Sequence, residues 1–83
     1  MMKHYITLCQ HDNTEVTYSK TSSGIQVTFE KVDIGGLEHT LVLNQEGQIL
    51  SQNGFDDNEV AYFIDFLSRN IEVILEFAND ETQ

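Results

Sequence analysis

Hydrophobic and polar positions change period once along this chain, and the change divides it into two kinds of element. Between residues 25 and 43 the apolar side chains fall on alternate positions. Ile25, Val27 and Phe29 lie to one side of Gln26, Thr28 and Glu30, and Leu37, Leu41 and Leu43 repeat the pattern. Side chains two apart on an extended backbone share a face, so this alternation predicts strands with one buried face. The breaks are polar or glycine-bearing: His11-Asp12-Asn13-Thr14, Thr21-Ser22-Ser23-Gly24, Asp33-Ile34-Gly35-Gly36 and Asn44-Gln45-Glu46-Gly47. Two adjacent glycines supply the positive φ that a tight hairpin uses. The reading is an antiparallel meander of four to five strands, at about 3–9, 15–19, 25–32, 37–44 and 48–51.

At Gly54-Phe55-Asp56-Asp57-Asn58-Glu59-Val60 the period becomes helical. With Asp56 as N-cap, Glu59 stands at N3 and can reach back to the cap amide. Phe55 and Val60 then occupy the two positions of a hydrophobic staple. Val60, Phe63, Ile64, Leu67, Ile71, Ile74, Leu75 and Ala78 form one stripe at about 100° per residue, which predicts a helix over about 57–78. The β-branched run Ile71–Phe77 leaves a strand after a break at Asn70 as the competing reading. Such a helix is about 33 Å long against about 30 Å for a compact body of this size, so it is expected to reach or overhang the edge. Residues 79–83 read as a frayed polar tail. The fold class expected is α+β: a single domain over 1–83, with an N-terminal antiparallel β-meander packed by one face on a C-terminal helix.

The chain has 83 residues, and Ile, Leu, Val and Phe make up 25 of them, enough apolar content for a folded domain with a small core. Fourteen acidic residues against four basic ones give a formal charge of -10. Residues 1–31 balance, so the whole excess lies in residues 32–83, where Arg69 is the one base. Repulsion of this kind opposes direct nucleic-acid binding and contact with anionic membranes. One cysteine, no apolar leader and no run of about 20 apolar residues point to a cytoplasmic chain without disulfides.

Candidate chemistry is sparse. His4, Cys9 and His11 are the closest set of metal-ligating types, but on a strand His4 and Cys9 point to opposite faces, so neither metal nor cofactor is expected. The same divergence argues against a Cys–His nucleophile pair, and Cys9 has no basic neighbours to lower its pKa. His39 shares the face of Leu37, Leu41 and Leu43 and reads as a satisfied core or rim residue, or as a pH-sensitive contact. Asp56, Asp57 and Glu59 miss the alternating ligands of a calcium loop and are explained by capping. Gly35-Gly36 lacks the Lys-Ser/Thr of a phosphate loop. No catalytic residues are expected.

Two features exceed what a bland fold needs. Tyr62, Phe66, Val73 and Phe77 make a second apolar seam beside the main stripe, and a helix lying on one sheet buries one stripe only. This predicts a surface for a protein partner, which could be a second copy of the chain in a homodimer. The acidic residues Asp65, Glu72 and Glu76 lie on the opposite arc. The expected function is therefore a small acidic protein-interaction domain without catalytic activity. The alternative is a nucleic-acid mimic, in which carboxylates on a rigid frame occupy the basic groove of a nucleic-acid-binding protein. Phage-type anti-restriction and anti-CRISPR inhibitors have this general composition, and no motif here assigns the chain to them.

Overall fold

A computed structural model describes residues 3–6, 14–22 and 24–80, with side chains from 14–22 and 24–78. The fold is α+β. Strands β1 (Lys3–Ile6), β2 (Glu15–Thr21), β3 (Gly24–Val32), β4 (Glu38–Asn44) and β5 (Ile49–Asn53) precede helix α1 (Asp57–Asp80). Every neighbouring pair of strands is antiparallel, and the sheet order is the chain order. No helix among the described residues is long and apolar enough to cross a membrane.

Alternation sets the register. Val16 lies opposite Phe29 and Tyr18 opposite Val27 across β2 and β3; Val27 meets Leu43 and Phe29 meets Leu41 across β3 and β4. These side chains form one buried face. A one-residue slip would turn the whole set to the wrong side, so burial specifies the pairing. Leu37 departs from expectation. It precedes β4, and its amide is held by the Asp33 carboxylate at 2.9 Å, which leaves its side chain exposed. Between β4 and β5, Val42 faces Ser51 and Leu43 faces Ile49, so Leu50 is an extra residue in a bulge.

α1 lies on this face and runs antiparallel to β3, as the contacts at its ends show. Lys31, at the end of β3, sets its Nζ 3.5 Å from Glu59 Oε2 in the first helical turn. Lys20, at the end of β2, donates from Nζ to the carbonyl of Ala78 at 3.0 Å. One lysine meets the acidic start and the other an orphan carbonyl near the C-terminus, where a cation also suits the helix dipole. Between them Phe63 stacks on Phe29 with centroids 4.5 Å apart, and Leu67 and Ile74 are buried behind it.

The helix start has the predicted geometry. Glu59 donates its amide to Asp56 Oδ1 at 2.8 Å, Asp56 donates its amide to Glu59 Oε1 at 3.2 Å, and Phe55 and Val60 are both buried. The expected helix continues beyond that point. It runs through Asn70, whose Nδ2 donates to the Phe66 carbonyl at 2.9 Å, so Ile71–Phe77 is helical and not the competing strand, and the helical turns extend to Asp80. The body measures 42 × 21 × 20 Å, elongated rather than round. A helix of about 36 Å reaches along most of its long axis, with Ile74 and Ala78 fully buried near its end.

Asp56→Ala removes the acceptor for an orphan amide and is expected to cost about 1 kcal/mol, a fall in melting temperature of about 4–8 °C followed by circular dichroism.

Candidate interaction surface

The predicted helical seam is split by the fold. Tyr62, Val73 and Phe77 are 44%, 37% and 45% exposed, whereas Phe66 is half-buried and points edge-on at Phe29 with centroids 6.0 Å apart. The fully buried residues of α1, Val60, Phe63, Leu67, Ile74 and Ala78, all belong to the predicted stripe. Phe66, like Ile64, Ile71 and Leu75, is partly buried against the core. Phe29, a large ring in the middle of the sheet, accepts Phe63 face-on and Phe66 at its edge. Phe66 thus contributes part of its ring to the packing of this domain.

The acidic arc is solvent-facing. Asp65, Glu72 and Glu76 are all exposed; Asp65 pairs with Arg69 at 2.9 Å, while Glu72 and Glu76 have no basic partner among the described residues. Exposed pairs of this kind contribute about 0.3–0.5 kcal/mol, too little to organise the helix. The one base in residues 32–83 is thus engaged by a neighbouring carboxylate.

Two further apolar patches escaped sequence reading. Val32, Ile34 and Leu37 surround the β3–β4 turn, with Ile34 fully exposed, and Ile49 and Leu50 are half-exposed on β5. An isoleucine inside the turn Asp33-Ile34-Gly35-Gly36 was a readable signal, because turn positions are normally polar. Nothing in the sequence marked β5 as an edge, since edge position follows from sheet order.

His39 occupies the rim. Its Nε2 lies 3.2 Å from Asp33 Oδ2, its ring tilts against Phe55 at 5.5 Å between centroids, and its Nδ1 is buried with no partner among the described residues. Nε2 thus faces a carboxylate oxygen that can accept from it, and Nδ1 faces the backbone of Gly54. Gly54 completes the arrangement: φ is +91°, and a Cβ there would come within 2.8 Å of Nδ1. The ring thereby connects the β3–β4 turn to the residue that staples the helix. The hydrogen bond from His39, with a second from the Leu37 amide, holds the Asp33 carboxyl below its ordinary value of 3.8. Beside it a groove of about 300 Å³ is lined by Glu15, Glu30, Lys31, Glu38 and Thr40 among others. The amine of Lys31 that borders it is already engaged with Glu59, so carboxylates dominate the groove's chemistry.

Among the described residues no group of three or more His, Cys, Asp or Glu is placed to hold a metal ion. Cys9 and His11 lie outside the described residues, and His4 lies in β1. No protein-family model, no curated protein and no solved structure matches this chain.

Phe66→Asp should abolish the folded circular dichroism signal by placing an unpaired charge against Phe29, whereas Phe77→Asp should leave a folded domain. A folded Phe66→Asp would show that the ring does not belong to the core. Acidification tests the Asp33 contact. A carboxyl whose folded pKa is depressed contributes stability above its unfolded pKa and loses that contribution as pH falls through the folded value. The melting-temperature gap between the parent and Asp33→Asn is therefore expected to be full at neutral pH and to close below about pH 4.

Proposed function

We propose that this chain is a small acidic protein-interaction domain without catalytic activity, able to pair with itself as a homodimer and acting in the cytoplasm. The observation that carries the reading is the amount of large apolar side chain left in water. Three patches remain exposed: Val32, Ile34 and Leu37 at the β3–β4 turn, Ile49 and Leu50 on β5, and Tyr62, Val73 and Phe77 on α1. A sheet covered by one helix leaves its edges and the outer side of the helix to present, and contiguous apolar area on such surfaces usually meets another protein. The buried centre, by contrast, is filled among the described residues by Phe29, Phe63, Leu41, Leu43 and Leu67.

A second reading rests on Glu72 and Glu76, exposed one helical turn apart and unopposed by any described base. On this reading the helix offers spaced carboxylates to a basic protein in place of nucleic acid.

Salt separates the two. Light scattering of the intact chain at low salt and at about 0.5 M, where the screening length is well below 10 Å, should show a mass above 9.5 kDa that persists in both. Binding to a basic protein that collapses at the higher salt, with the free chain monomeric throughout, would favour the mimic.

A further inference from the structure

The meander ends in a strand that has a neighbour on one side only. β5 pairs with β4, and no described strand lies on its other side, so a row of ladder amides and carbonyls faces outward. All five of its residues are exposed. Water can satisfy such a row, and among macromolecular occupants an extended strand matches it group for group. Edges of this kind are normally guarded by charge or proline, and the opposite edge, β1, contains Lys3 and His4. β5 reads Ile-Leu-Ser-Gln-Asn, and the whole segment from Gly47 to Phe55 has no ionisable side chain, in a chain of charge -10.

Building on the homodimer reading above, we infer that β5 is the self-association edge, pairing antiparallel with β5 of a second copy to give a continuous ten-stranded sheet. Charge selects this occupant. Two molecules of charge -10 repel over most of their surfaces, and this neutral edge lets them approach without setting carboxylates face to face. A partner drawn by the acidity would be basic, and the Ile49 and Leu50 side chains offer it nothing. Antiparallel pairing about a two-fold axis is also isologous, so one open edge supplies both halves of the interface and leaves no open edge at the seam. Both helices then lie on the same face of the joined sheet. Each covers β3, five strand spacings from its mate, which sets the axes about 24 Å apart. That is more than twice the screening length of about 8 Å at physiological salt, so the two sets of Asp65, Glu72 and Glu76 do not oppose the pairing. The bulge at Leu50 leaves Ser51–Asn53 as the regular ladder, so the interface is small and the pairing weak.

Sedimentation of the intact chain from about 10 μM to 1 mM, beside three single variants, tests the assignment. The parent should approach twice 9.5 kDa. Ile49→Lys and Leu50→Lys should each weaken pairing at least tenfold while keeping the parent's circular dichroism. Both changes bring the net charge closer to zero, so general repulsion cannot account for the loss. Phe77→Asp should pair like the parent. Edge variants that pair as well as the parent overturn the inference. If pairing is lost only in Phe77→Asp, the homodimer stands and belongs to the helix. A parent that stays at 9.5 kDa throughout removes both. Amide exchange of the unmodified parent gives a check independent of any variant: protection at Ile49–Asn53 that rises with concentration supports the edge, and protection that does not rise overturns it.

Discussion

The face-to-face contact between Phe29 and Phe63 is the junction on which the rest of the molecule depends. β3 is the middle strand of the sheet, and Phe29 stands near its centre, so the ring that stacks on it seats the helix over the middle of the sheet. Phe63 takes the face and Phe66 the edge, which brings Leu67, Ile74 and Ala78 into the interior and turns Tyr62, Val73 and Phe77 outward. A sheet covered by one helix has a single apolar layer between the two. Burial of these side chains is therefore the main favourable term in its stability.

Electrostatics acts at the two ends of that layer. Lys31 meets Glu59 where the helix begins and Lys20 meets the Ala78 carbonyl where it is about to end, so two bases on the core face of neighbouring strands set the helix's direction and its position along β3. Glu59 serves twice, with one oxygen capping Asp56 and the other facing Lys31. The neutral first half of the chain and the acidic second half are thus partly matched in space. Of the remaining carboxylates, Asp65, Glu72 and Glu76 face solvent, while Asp33 is held by His39 and the Leu37 amide.

The same open-sheet architecture produces the surfaces on which function would rest. A sheet closed on itself has no edges, whereas a meander has two, and here one ends in a strand free of charge. His39 ties the β3–β4 turn to Phe55 and Gly54, so the turn that displays Val32, Ile34 and Leu37 is connected to the start of the helix. The display of apolar side chains at the turn and on β5 is therefore built on ordered elements.

Local chemistry made much of the fold legible in the sequence. The period-two run through Ile25 to Leu43, the turn residues between strands and the capping box at Asp56 depend on neighbours within a few positions, and each led to the right element. Leu37 was misjudged because an Asp33 side chain captured its amide and removed it from the strand. Only tertiary structure decided the roles of Phe66 and β5. Periodicity places side chains on a helix to within an arc but does not say which arc a particular ring in the sheet will accept. Likewise, Ile49–Asn53 became an edge through the order in which strands paired. Both outcomes arise from contacts between residues far apart in the chain, whose geometry exists only once the sheet has formed.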